Sequence, residues 1–307
     1  MCFGVRDAIT LALEHASQAP LTIFGELVHN ETVLASLRQT GITIEQDAAK
    51  IQTSDVLITA HGASDRAIEK LRARGLSVSE ATCPLVHHAH QALRRLVADH
   101  CHPVIIGKRG HVEVRGLTED LAEYDVVLCE DDVQALPEKP RYGVVAQTTQ
   151  PIEKVHLLAD LIRRRFPNAE VRFEDTVCHP TKQRQLAAVQ LAQQSDLVVV
   201  VGGPNSNNTR ELVATCSRVC RRVYHVQNST ELRPEWFHGA ENIGLTAGTS
   251  TPDATIDGVE RWLQQLDEKR RRQFEPLPLT DHQPEISASL AGEPKVHAGR
   301  RSPVMAS

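Results

Sequence analysis

Aromatic side chains make up only 4% of this 307-residue sequence, too few for the stacking surface that holds single-stranded nucleic acid. Excess positive charge is missing too. The formal net charge is −5, which excludes bulk attraction to a phosphate backbone. None of the seven cysteines forms a C-x-x-C pair, the usual unit of a closed structural zinc site. The longest apolar run, Leu197–Val201, is far short of the ~20 residues that span a bilayer. Near the N-terminus, Arg6, Asp7 and Glu14 break up what would be the apolar core of a signal peptide, and no basic leader is present. These absences predict a cytoplasmic protein with no membrane or nucleic-acid partner. Its cysteines are expected to stay reduced and serve packing, metals or catalysis. The chain is long enough to bury a core without disulfides.

Short β-rich runs alternate with helical patterns: LTIF at 21–24, DVLITA at 55–60, PVII at 103–106, YGVVA at 142–146, DLVVVV at 196–201 and NIGLTA at 242–247. Continuous apolar runs of this length suit strands covered on both faces of a parallel sheet. Helical stretches such as 151–166 and 252–266 lie between them. The fold class is therefore α/β with mostly parallel sheets. From 268 onward a basic run and a Pro-, Ser- and charge-rich stretch predict a disordered tail, 268–307.

An internal repeat organises the rest. Cys2, Cys83 and Cys178 each precede, by nearly equal intervals, a strand that ends in glycine: Gly25, Gly107 and Gly202. A later strand in each unit ends in alanine: Ala60, Ala146 and Ala247. Polar residues follow every one of these strand ends. The sequence thus divides into three modules, 1–80, 81–174 and 175–267. In open parallel sheets, ligands bind beyond the carboxyl ends of the strands. Three such modules facing one another would bring three cysteines and six polar loops to one central cavity.

Three soft thiolates without a fourth suggest a 4Fe–4S cluster with one open iron, since such clusters are normally held by four cysteines. Cys216 and Cys220, spaced i, i+4, suit packing better than a metal, and Cys101 and Cys129 read as structural. His29, His61 and His111 lie in the strand-end loops, where imidazoles could ligate a metal or donate to phosphate oxygens. Asn205–Thr209 opens a helix and offers backbone N–H groups to an anion, and Ser250 opens another. Simple helix capping explains Asn208 or Ser250 equally well when each is taken alone. Glu113 is either a buried general acid or a first-turn residue favoured by the helix dipole.

The segments CFGVRDAI, GELVHNETV, ITAHGAS, ATCPLV, GHVEVRG, AQTTQ, TVCHPTKQRQ, VGGPNSNNTREL and LTAGTSTPD resemble, in the same order, the 4-hydroxy-3-methylbut-2-enyl diphosphate reductase family. The resemblance runs from Cys2 to about Leu266. It implies three α/β modules around a pseudo-threefold axis enclosing one 4Fe–4S cluster, with Cys2, Cys83 and Cys178 as ligands. It implies that His29, His61, His111, Ser206, Asn208 and Ser250 contact the substrate diphosphate, with Asn207 at a neighbouring small polar position. Thr148 would assist the substrate hydroxyl and Glu113 would be the catalytic acid. The implied reaction is a two-electron reductive dehydration giving isopentenyl or dimethylallyl diphosphate, with electrons from ferredoxin or flavodoxin. The family has a strand before its first cysteine, whereas here Cys2 follows Met1. One sheet is therefore expected to lack a strand, and Cys2 to sit on a mobile terminus. Two other readings stay open: a cluster-free phosphometabolite-binding paralogue, and a zinc hydrolase using the histidines.

Overall fold

The computed structural model describes residues 1–274, with side chains through Arg271. Its compact unit is Met1–Asp267. The chain begins with α1 (Phe3–Ala16), β1 (Leu21–Phe24), α2 (Glu31–Gln39), β2 (Thr43–Glu45), β3 (Asp55–Ile58), α3 (Asp65–Ala73) and β4 (Ser77–Glu80). It continues with α4 (Pro84–Ala98), β5 (His102–Ile106), α5 (Val112–Thr118), β6 (Asp125–Val127), α6 (Glu130–Gln134), β7 (Arg141–Ala146), α7 (Ile152–Arg165) and β8 (Glu170–Phe173). The last stretch contains α8 (His179–Gln193), β9 (Leu197–Val201), α9 (Asn207–Ser217), β10 (Val223–Val226), β11 (Ile243–Ala247) and α10 (Asp253–Phe274).

Every strand pairing is parallel. Among the described residues there are three sheets, ordered β2-β1-β3-β4, β6-β5-β7-β8 and β10-β9-β11. The run at 197–201 shows why the central strands are apolar throughout. Leu197, Val199 and Val201 face one core with Phe237 and Val259, while Val198 and Val200 face another with Ala188, Leu212 and Cys216. Helices cover both faces, so no position along the strand meets water. The second sheet repeats the arrangement. Val104, Ile106, Val144 and Ala146 pack towards Leu158 and Ile162 of α7, and Ile105 and Val145 towards Ala89, Leu93 and Leu96 of α4.

Of the six described outer strands, β2, β4, β6, β8 and β10 lack such a run, whereas β11 is legible as NIGLTA. β4, for example, reads Ser-Val-Ser-Glu with its ends exposed. An edge strand is covered by less structure, so its sequence can stay polar. β4 lies beside β3 and β8 beside β7, but no described strand lies on the corresponding side of β11. Among the described residues the third sheet thus has one strand fewer than the other two. There the Arg184 side chain, from α8, donates to the Ala247 carbonyl at the end of β11.

The expectation of a mobile Cys2 is corrected by the contacts around it. Its backbone N–H donates to the Thr249 carbonyl at 2.9 Å. One turn on, Arg6 pairs with Asp253 of α10 at 3.0 Å. Ala8 and Ala12 of α1 are fully buried against Leu21 and Ile23 of β1. At the other end, α10 runs on to Phe274, past residue 268 where the composition predicted disorder. Its Asp-Glu-Lys-Arg continuation consists largely of residues that tolerate a helix. Residues 275–307 of the expected tail lie outside the described residues.

α4 lies so close to the second sheet that Gly143 of β7 has no room for a side chain. A Cβ there would stand 2.7 Å from Leu96 Cβ and 3.0 Å from Cys101 Cβ. Gly143→Ala is expected to destabilise the protein by about 1–3 kcal/mol, the usual cost of overpacking a core. The midpoint of urea unfolding, compared with wild type, measures it.

Candidate active site

Cys2, Cys83 and Cys178 occupy equivalent places. Each is the residue immediately before a helix: α1, α4 and α8. Each donates its backbone N–H to a carbonyl just past a strand end, namely Thr249, Ala60 and Thr148, at 2.9, 3.0 and 2.9 Å. The anchors belong to the third, first and second sheets, so each cysteine hangs from the sheet preceding it in cyclic order. A Cβ on Gly4 would come within 2.6 Å of Cys83 Sγ, so only glycine lets the Cys2 helix approach the Cys83 thiol. Cys83 and Cys178 each feel the charges of both Cys2 and Glu113.

Burial pushes the Cys83 and Cys178 thiols up. Hydrogen bonds from the first helical turns oppose this: backbone N–H groups at Cys83, and the Thr181 hydroxyl, 3.0 Å away, at Cys178. Desolvation wins over the helix ends, and this holds both thiols above the usual range. All three are free of disulfides, as are the other four cysteines. Of those, Cys216 and Cys220 are buried with their sulfurs near main-chain carbonyls, a packing role. Cys101 is buried and Cys129 exposed.

Among the described residues, no three His, Cys, Asp or Glu side chains could hold a single metal ion. The zinc reading of the histidines therefore has no donor set to rest on. The soft thiols each stand at the head of a helix, and Gly4 lets the Cys2 helix reach Cys83; a thiophilic iron–sulfur body, larger than a single ion, is the group their chemistry would suit.

The three histidines meet in a triangle. Ring centroids are 4.5 Å apart for His29 and His61, 5.0 Å for His29 and His111, and 5.7 Å for His61 and His111. Burial, then His29 and His111, hold His61 well below the usual imidazole range. His111 is held at about 3, by burial first and then by His29, Lys108, Arg210 and Arg115. Both rings are thus neutral. The Glu113 backbone N–H donates to His111 Nδ1 at 3.2 Å, which leaves the proton on Nε2. Glu26 engages His29 Nδ1 at 3.0 Å.

The loops after β9 and β11 reach the same place. Gly203 lies so near the first-sheet loop that a Cβ would be 2.7 Å from the His29 carbonyl. Ser206 caps α9, its hydroxyl accepting from the Thr209 N–H at 3.3 Å, and Asn207 Nδ2 donates to Thr149 Oγ1 at 3.3 Å. Asn208 has its whole side-chain amide buried without a partner, and Ser250 Oγ, His29 Nε2 and His61 Nδ1 share that condition. Buried polar atoms left unpaired are costly, and four site residues sharing the defect mark a place built for a polar ligand.

Glu113 stands between the histidines and the cysteines. It is 1% exposed, and burial raises its carboxyl to about 7 against the hydrogen bonds from Thr148. The Thr148 N–H reaches Glu113 Oε1 at 2.6 Å, while the Thr148 carbonyl accepts the Cys178 N–H. Outside the triangle, a cavity of about 810 Å³ is lined by His29, His111 and Asn205, and by Arg66, Lys70, Lys108, Arg109, Arg115 and Arg210. Of these cations the sequence reading places only Lys108 and Arg109 in the strand-end loops. The others sit on helices α3, α5 and α9, where no loop motif flags them.

The neutral histidines set a pH dependence. His61 and His111 have folded pKa values below the unfolded value near 6.5, so the unfolded chain binds more protons in acid. Their contribution is complete above about 6.5 and is lost as pH falls towards the folded values. His111→Gln is expected to lose less stability than wild type between pH 7.5 and pH 5, as read from denaturant midpoints.

The family described as LytB protein matches residues 1–264. The chain is 36% identical over 269 residues to the 4-hydroxy-3-methylbut-2-enyl diphosphate reductase of Anaeromyxobacter sp. (strain Fw109-5), covering 86% of this chain and 94% of that one. It is 36% identical over 275 residues to the enzyme of that name from Neisseria meningitidis serogroup C, covering 85% and 84%. A solved structure of (E)-4-hydroxy-3-methyl-but-2-enyl diphosphate reductase, described as the terminal enzyme of the non-mevalonate pathway, has a TM-score of 0.63 at 33% identity and covers 86% of this chain and 96% of its own. The Plasmodium falciparum reductase structure has a TM-score of 0.78 at 22% identity, covering 88% and 96%, and shows the shared fold. The chain belongs to the LytB protein family, whose compared members carry the name 4-hydroxy-3-methylbut-2-enyl diphosphate reductase.

Proposed function

We propose that this chain catalyses the reductive dehydration of (E)-4-hydroxy-3-methylbut-2-enyl diphosphate to isopentenyl and dimethylallyl diphosphate, in the cytoplasm. Overall, one C–O bond breaks, the oxygen leaves as water, and two electrons and two protons are taken up. The observation that carries the reading is the position of Glu113: a buried carboxyl near its protonated form at neutral pH, bonded through Thr148 to the anchor of Cys178 and adjoining the histidine triangle.

Cys2, Cys83 and Cys178 would hold a 4Fe–4S cluster with one open iron. That cluster, when bound, supplies the electrons and a Lewis acid, and is refilled by a low-potential one-electron carrier of the ferredoxin or flavodoxin class.

The chain's own groups divide the remaining work. His111 donates from Nε2 to the diphosphate. His29 Nε2, His61 Nδ1, Asn208 and Ser250 lose their unpaired condition on the same oxygens, while Ser206 and Asn207 order the head of α9. Neutral donors can bind a multiply charged anion there because they are already desolvated and fixed in place. Glu113 holds the proton to be delivered, and Thr148, 4% exposed, keeps that carboxyl aimed and water out. Because burial is what keeps Glu113 protonated, activity is expected to fall as pH rises past about 7.

Anaerobically purified protein is expected to contain iron and sulfide and to form both products with reduced methyl viologen as donor. Protein that binds inorganic pyrophosphate yet takes up no iron or sulfide on reconstitution would be a cluster-free binder and would sink the reductase reading. Glu113→Gln should keep iron content and KM but lose about 10²–10⁴-fold in kcat, the range for removing a general acid. Unchanged kcat would refute its role.

A further inference from the structure

The inner site has a kinetic weakness. Its histidines at 61 and 111 are neutral, His29 is paired with Glu26, and its other donors are Ser and Asn, so it has no net positive charge with which to pull an anion from a distance. The whole chain carries a formal charge of −5, which repels a diphosphate. Yet the cavity outside the triangle is lined by six cationic side chains against two acidic ones, Glu26 and Glu119. Both acids are engaged: Glu26 with His29, and Glu119 with the Ser64 hydroxyl at 2.8 Å.

The cations differ among themselves. Arg66 and Arg109 are tied to backbone carbonyls, those of Glu119 and Val126. Lys70, Lys108, Arg115 and Arg210 have no hydrogen-bond or ion-pair partner among the described side chains, although all four face one cavity. They come from α3, the loop after β5, α5 and α9, so every sheet's flanking elements supply at least one. Three of them, Lys108, Arg115 and Arg210, are near enough to His111 to hold down its protonation, which places their field at the inner doorway. Four unpaired like charges around one recess repel one another, and surface cations usually find an acid or disperse. A low-dielectric recess instead focuses their field outward.

We propose that this cavity is an outer capture site for the diphosphate group, in which Lys70, Lys108, Arg115 and Arg210 draw the substrate in and hand it to the histidine triangle. This rests on the proposed function for the substrate's identity, but the anion chemistry stands by itself. The cations act on capture, and the inner donors hold the anion in place for reaction.

The test is Lys108→Gln/Arg210→Gln, with Lys70→Gln/Arg115→Gln as an independent pair. Reduced methyl viologen serves as donor, so that no protein carrier is present. At about 0.02 M salt, kcat/KM for the allylic diphosphate is expected to drop about tenfold in each pair, with kcat retained. Wild-type kcat/KM should fall on going to about 0.3 M salt, where screening shortens the field, and the variants should show a flatter slope. Arg163→Gln/Arg164→Gln on α7, outside the cavity lining, makes the same change in net charge and is expected to behave as wild type.

Wild-type kcat/KM and salt slope in both cavity pairs, or an equal loss in the α7 pair, would overturn the proposal. So would a charge effect that appears only when a protein electron carrier replaces the viologen, since that would assign the cations to the carrier. Calorimetric titration with inorganic pyrophosphate reads the same cations without turnover. Pyrophosphate affinity about tenfold weaker in the cavity pairs, in a protein that forms no product, would leave the capture site standing and overturn the reductase reading alone.

Discussion

Three backbone hydrogen bonds organise this molecule: Cys2 to Thr249, Cys83 to Ala60 and Cys178 to Thr148. Each fastens the head of a helix to the carboxyl end of a strand in a neighbouring unit. Because the anchors run third, first, second, the bonds close the chain's first helix onto its last sheet. The thiols, the histidine loops and the head of α9 all lie where those strand ends meet. Parallel sheets put all their carboxyl ends on one side, so three such sheets fastened in a ring converge six loops on one point.

Desolvation then decides the chemistry of that point. It outweighs the helix ends at Cys83 and Cys178, the backbone donors at Glu113, and the ordinary basicity of His61 and His111. The outcome is a site with no net positive charge of its own, since His61 and His111 are neutral and His29 is paired with Glu26. Such a site can hold a proton on a carboxyl at neutral pH and leave donors unpaired until an anion arrives, but it cannot attract the anion from a distance. The formal charges stand one step outward, in the cavity, where water can solvate them and where their field still reaches the inner rings.

Glycines mark where the units touch. Gly4 and Gly203 each leave space that another unit fills: the Cys83 sulfur and the His29 carbonyl. Gly25 needs no neighbour to explain it, since its φ of +98° at the end of β1 is one that L side chains rarely adopt.

The sequence by itself determined the fold class and the threefold repeat, and it put the histidines, Asn208 and Ser250 at strand ends. Central strands covered on both faces must be apolar at every position, and loops at strand ends must carry the polar chemistry, so both leave local signatures. Edge strands such as β4 left none, because half-covered backbone accepts polar residues. The extension of α10 past 267 was hidden as well, because charged residues suit a helix and a solvated coil alike. What only the tertiary structure decided was who faces whom. Cys2, two residues into the chain, is held by a carbonyl at position 249. Lys70, Lys108, Arg115 and Arg210, scattered over three units, share one cavity. Both are long-range pairings, set by how the sheets pack, and no spacing within the chain encodes them.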